Sequence, residues 1–114
     1  MDYRWNIYLV NLDPVIGSEQ GKTRPVLVIS DDDINAILPV INILPITSYK
    51  QGRKVYPNEV FLKKEQNNLD KDSIMLCYQV RTIDKKRLIK KIDEIKDDDV
   101  KNEIIDALSF QLGL

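Results

Sequence analysis

Hydrophobic and polar positions change period along the chain. Trp5, Ile7 and Leu9 alternate with Arg4, Asn6 and Tyr8, a period of two that predicts a half-buried first strand. Pro14, Gly17 and Gly21 then interrupt residues 11–24, which predicts a long loop. The apolar run from Pro25 to Ser30 fits a short strand buried on both faces. Asp31 to Asn35 suits a capped helical turn. Val40–Ile46, Glu59–Leu62 and Ser73–Val80 read as three further strands. In the tail, Val100, Ile104, Leu108 and Leu112 recur every four residues with Ile105 beside them, one apolar stripe on an amphipathic helix. Asp97, Asp98 and Asp99 supply a cap and dipole-compatible charge at its start, and Gly113 a stop. Five short strands and a terminal helix predict a mostly β, α+β protein. Its architecture is a small antiparallel barrel or curled sheet with a packed helix, one domain over residues 1–114.

Composition narrows the chemistry. The chain of 114 residues contains no histidine, which removes Ser-His-Asp and Cys-His nucleophile systems, imidazole acid/base catalysis and His-ligated zinc. Its single cysteine, Cys77, removes an internal disulfide framework and four-cysteine metal sites. With no histidine to activate it, Cys77 reads as an inert core residue. Catalysis must therefore run on carboxylates, hydroxyls, Arg, Lys or Tyr. The N-terminal run lacks the charged-then-apolar order of a signal peptide. No apolar stretch approaches the roughly 20 residues that span a bilayer, so the expectation is a soluble, cytoplasmic protein without a membrane partner.

A net charge of −1 conceals local asymmetry. Residues 81–91 hold Arg81, Lys85, Lys86, Arg87, Lys90 and Lys91 against Asp84 alone, whereas 92–106 are predominantly acidic. Thr47 to Pro57 carries Lys50, Arg53 and Lys54 with no acid. Local basic patches of this kind bind phosphate whatever the global sum.

The stretch from Gly17 to Pro25 is the most informative. Two glycines bracket Ser18-Glu19-Gln20, letting the backbone turn sharply beside short polar side chains. Pro25 fixes its own φ and pushes Arg24 toward an extended conformation. Such stiff placement suits a guanidinium that meets phosphate oxygens as a fork. Thr47 closes the apolar Val40–Ile46 run, so its hydroxyl is expected at a strand mouth. Gln79 and Arg81 alternate with Tyr78 and Val80, which would put them on one face of a strand end.

Taken together, these stretches resemble the MazF/PemK toxins, the RNA-cleaving halves of bacterial toxin–antitoxin pairs. The resemblance is carried by Ile7-Tyr8-Leu9-Val10-Asn11-Leu12-Asp13-Pro14, Gly17-Ser18-Glu19-Gln20-Gly21, Arg24-Pro25-Val26-Leu27-Val28-Ile29, Pro45-Ile46-Thr47 and Gln79-Val80-Arg81-Thr82-Ile83-Asp84. It implies an SH3-like barrel with a C-terminal helix, acting as a homodimer. It also implies metal-free, cofactor-free cleavage of single-stranded RNA to 2′,3′-cyclic phosphate and 5′-hydroxyl ends, and an antitoxin partner with an acidic, disordered segment. By the same resemblance Arg24 and Thr47 are catalytic, Glu19 takes part, and Ser18, Gln20 and Gln79 touch RNA. Arg81 and Lys50 join them as basic RNA contacts.

The chain departs from the family pattern twice. Relatives usually read Arg-Gly-Asp or Arg-Gly-Glu where this chain has Arg4-Trp5-Asn6, and carry an acid where it has Tyr78. On this reading Arg24 stabilises the phosphorane, Glu19 is the candidate base, Thr47 orients the phosphate, and the leaving-group acid is unassigned. Two other classes remain open: a gyrase-binding toxin like CcdB, which shares the barrel and cleaves nothing, and a silent RNA-binding module.

Overall fold

The computed structural model describes residues 2–114, which form seven strands, three helices and two short 3₁₀ turns. The strands are β1 (Asn6–Asn11), β2 (Thr23–Val28), β3 (Val40–Ser48), β4 (Glu59–Leu62), β5 (Ser73–Leu76), β6 (Arg81–Asp84) and β7 (Leu88–Glu94). The helices are α1 (Asp32–Asn35), α2 (Lys64–Asn67) and α3 (Asp98–Leu112). All strand pairs are antiparallel, in the order β4-β5-β3-β2-β1-β7, with β6 also paired to β3.

The sheet curls, but the expected barrel is not closed. β4 and β7 end the path unpaired with each other. The seam is spanned instead by a side chain: Asn68 Nδ2 donates to the Ile92 carbonyl at 3.0 Å.

β2 carries the core. Leu27 and Ile29 join Ile7, Leu44, Ile46, Met75, Ile104 and Ala107 on one side, while Val26 and Val28 join Val10, Leu12, Ile41, Ile43 and Ile83 on the other. Alternation along the apolar run Val26–Ile29 therefore feeds two clusters, each fully buried aliphatic side chain contributing about 1.5–3 kcal/mol.

β1 departs from simple alternation. Its register with β7 slips between Ile7 and Tyr8 and again between Leu9 and Val10, so Val10 is fully buried and Leu9 only half-buried. The strand also begins at Asn6, later than the expected Arg4, because Trp5 has φ 69°. That left-handed conformation is rare for a bulky residue. Trp5 is held by N–H donation to Val28 O at 2.9 Å and by acceptance from Ile95 N at 2.7 Å. Its ring lies 5.0 Å from the Arg4 guanidinium and 5.4 Å from Lys101 Nζ.

Of the expected strand 73–80 only Ser73–Leu76 is β5, and the further strand β6 begins beyond it at Arg81. Met75 pairs with Ile46 and Arg81 with Ile43, so the partner chain carries extra residues along the same stretch of β3. The surplus coils into the 3₁₀ turn Cys77–Gln79. β3 changes partner around Pro45, which has no N–H to contribute to a ladder. β7 and α2 go beyond the sequence expectation, whereas α1 forms as expected, with Asp31 capping the Asp33 N–H.

Asp97 caps α3 and Gly113 ends it at φ 72°. The buried face is Val100, Ile104, Ala107 and Leu108, a mixed three-and-four spacing that tracks the 3.6-residue turn better than a strict period of four. Ile105 and Leu112 are exposed, a correction to the expected stripe.

Candidate active site

β2 and β3 bring Arg24 and Thr47 together. The half-buried Arg24 is the second residue of β2, beside Pro25 and opposite Val10. Its Nε donates to Gly21 O at 2.8 Å and its Nη1 donates to Thr47 Oγ1 at 3.3 Å. Two of its donors are thus fixed, which orients the guanidinium plane and leaves its other N–H groups for a ligand. Because Thr47 Oγ1 accepts from Arg24, its own hydroxyl proton is available to a second acceptor. Arg24 and Thr47 line a cleft of about 320 Å³ with Ser48, Asp70, Lys71 and Ser73. Asp70 is a carboxylate in this cleft that the sequence reading missed. It belongs to the loop before β5 and nothing in its local pattern marks it.

The loop between β1 and β2 is internally tied. Asp13 Oδ1 accepts from Lys22 N at 2.8 Å and Glu19 Oε1 accepts from Ile16 N at 2.7 Å. Gly21 is required by contact rather than by φ, since a Cβ there would lie 2.5 Å from Asp13 Oδ1 and 2.9 Å from Val15 Cγ2. Gln79 staples the loop from the other side: its Oε1 accepts from Gln20 N at 2.7 Å and its Nε2 donates to Ser18 O at 3.3 Å.

Ser18, Glu19, Gln20, Gln79 and Arg81 line a second cleft of about 510 Å³ with Tyr78. Gln20 Oε1 is buried and has no hydrogen-bond partner among the described residues. The sequence candidates therefore divide between two clefts. Glu19 makes no hydrogen bond or ion pair with Arg24 among the described residues, and the two line different clefts. Its exposed carboxylate is held by its own loop. Arg81 is half-buried and donates to Leu12 O at 3.1 Å. The 3₁₀ turn, rather than a shared strand face, is what brings Gln79 and Arg81 to one cleft.

Lys50 is exposed on the loop after β3. Arg53 in the same loop is committed elsewhere, its Nη1 and Nη2 donating to the buried Glu59 carboxylate at 2.9 and 2.7 Å. That fork, with a further N–H from Tyr56, outweighs burial and holds Glu59 below the ordinary carboxylate value. Burial pushes the Cys77 thiol up to about 12, so it carries no nucleophilic thiolate at neutral pH. Among the described residues no helix is long and apolar enough to cross a membrane.

Comparison with known proteins places this geometry. Residues 3–111 match the family described as PemK-like, MazF-like toxin of type II toxin–antitoxin system. The chain is 40% identical over 111 residues to an endoribonuclease MazF of Staphylococcus saprophyticus, covering 97% of this chain and 91% of that one. A crystal structure of MazF from Deinococcus radiodurans aligns with a TM-score of 0.80 and 29% identity, over 99% of this chain and 97% of that one. A mycobacterial endoribonuclease in complex with its cognate antitoxin aligns with a TM-score of 0.81 at 20% identity, over 100% of this chain and 97% of its own.

Proposed function

The chain belongs to the PemK-like, MazF-like toxins of type II toxin–antitoxin systems, and from that premise we propose that it is an endoribonuclease toxin. It cuts single-stranded mRNA at short sequences without a metal, leaving 2′,3′-cyclic phosphate and 5′-hydroxyl ends. It works in the cytoplasm as a homodimer of one-domain chains, silenced by an antitoxin with an acidic disordered segment.

The observation that carries this reading is the Arg24–Thr47 contact at 3.3 Å in a cleft. In the reaction the 2′-oxygen loses its proton and bonds to phosphorus, the bond from phosphorus to the 5′-oxygen breaks, and that oxygen gains a proton. Charge builds on the non-bridging oxygens of the phosphorane, where the oriented Arg24 fork and the free Thr47 proton are placed to meet it. Ser18, Gln20, Gln79 and Arg81 in the second cleft, and Lys50 at its loop, would grip flanking nucleotides.

Glu19 is the candidate base of the sequence reading, and Asp70 is the carboxylate that lines the Arg24 cleft. The test is an RNA-cleavage profile from about pH 4 to pH 9 in excess chelator, for wild type, Glu19→Gln and Asp70→Asn, with the ends identified by mass spectrometry. Cleavage in chelator yielding cyclic phosphate is expected. The variant that lacks the base loses the acid limb of the profile. Absence of any cut RNA from active toxin would return the gyrase-binding reading, and binding without cutting would return the silent module.

A further inference from the structure

The basic stretch 81–91 is not one patch in the fold. Arg81 donates to Leu12 O, Arg87 Nη1 to Asn11 O at 3.1 Å and Asp13 O at 3.0 Å, and Lys85 Nζ to Asn35 O. Each of these three cations ties down a distant backbone carbonyl. Lys86, Lys90 and Lys91 stay exposed, and their side chains make no ion pair among the described residues.

Lys90 and Lys91 line a groove of about 420 Å³ along the unsealed seam between β7 and the loop after α2, where Asn68 bridges to Ile92. Pro25, Leu69 and Asp70 line this groove and also the Arg24–Thr47 cleft, so the two share a wall. Pro25, Leu9 and Lys90 stand opposite one another across β2, β1 and β7. Two strand spacings, about 10 Å, therefore separate the Pro25 and Lys90 backbones. That span reaches a neighbouring phosphate of one RNA strand.

We propose that the seam is a second phosphate subsite, in which Lys90 and Lys91 hold a phosphodiester of the same RNA whose scissile phosphate lies at Arg24. The inference rests on the RNA-cleaving reading above. Lysines are point charges on flexible stems and read no base, so the subsite adds affinity without sequence preference. The half-buried Leu9, Pro25 and Leu69 give sugars an apolar wall. Asp70, the acid in the groove, repels phosphate and biases it toward the lysines.

The experiment compares the shortest RNA that wild type cuts with the same RNA extended on its 5′ or its 3′ side. Lys90→Ala/Lys91→Ala is expected to lower the ratio of kcat/KM, extended over short, about tenfold through KM for one of the two extensions. It should also reduce the salt slope of binding by about 0.7, the value for one phosphate neutralised on a single strand. Lys86→Ala, an exposed cation outside the groove, should keep both. Fluorescence anisotropy of short and long uridine oligonucleotides in an Arg24→Ala background reads the same ratio without cleavage. If wild type cuts nothing, the cleavage reading falls while the anisotropy ratio still decides the subsite. Equal ratios and salt slopes with and without the lysine pair would overturn it.

Discussion

At the scale of single residues, what distinguishes Arg24 is how many of its donors are already spoken for. Lysine at this position keeps the charge but loses both the tether to Gly21 O and the contact to Thr47 Oγ1. Arg24→Lys should therefore fold normally and lower the single-turnover cleavage rate about 10²-fold, close to the loss in Arg24→Ala. A rate within a few-fold of wild type would mean that charge alone suffices. Glu59 poses a different residue-scale problem, a carboxylate buried under the Arg53 fork. Glu59→Gln leaves a partly solvated Arg53 without its counter-charge and should cost about 2 kcal/mol, read as a Tm lower by roughly 8 °C at neutral pH.

At the scale of elements, the β1–β2 loop and the Cys77–Gln79 turn behave as one unit through Gln79. Removing that amide in Gln79→Ala leaves the Gln20 N–H without its acceptor, at about 1–3 kcal/mol. Hydrogen exchange at Gln20 should then quicken at least about tenfold while exchange in β2 and β3 stays slow. Uniformly faster exchange would instead mark Gln79 as a global stabiliser. α3 offers a plainer case. Asp97 accepts from the Asp99 N–H at 2.8 Å, and Asp97→Ala should lower stability by about 1 kcal/mol, or about 4 °C in Tm.

Across the whole molecule, acid should unfold the protein through identifiable carboxylates. Glu59 is held down by Arg53. For Asp32, burial works upward, but the Arg4 and Tyr3 N–H groups, the Asn35 amide and the Arg4 charge together lower it. The unfolded chain protonates these groups first, near their ordinary values of 4.5 and 3.8. Their contribution is therefore full above those values and lost as pH falls through the lower folded ones. Tm should fall steeply below about pH 4.5, and less steeply in Glu59→Gln. The proposed dimer belongs to this scale too. Phe110 and Leu112 on α3 and Leu114 just past its end are exposed apolar side chains, and Phe110→Asp should shift sedimentation at micromolar concentration toward monomer.

Much of this molecule is legible without coordinates, because it depends on neighbours in sequence. The doubly buried β2, the caps of α1 and α3, and the Arg24-Pro25 junction follow from side-chain period, capping chemistry and proline geometry. So does the absence of imidazole chemistry. The remainder depends on long-range pairing. Nothing local breaks Ser73–Val80; the turn there exists because β3 runs out of positions to pair. Ile105 and Leu112 match a helical stripe, yet only packing against the sheet selects Ala107 in their place. The charge of 81–91 is plain in the chain, but which cations bind backbone and which stay free is set by loops that lie 50 to 76 residues away. The same holds for the candidate site. The family motifs mark Arg24, Thr47 and Glu19, and only the fold parts Glu19 from Arg24 and puts Asp70 in the Arg24 cleft.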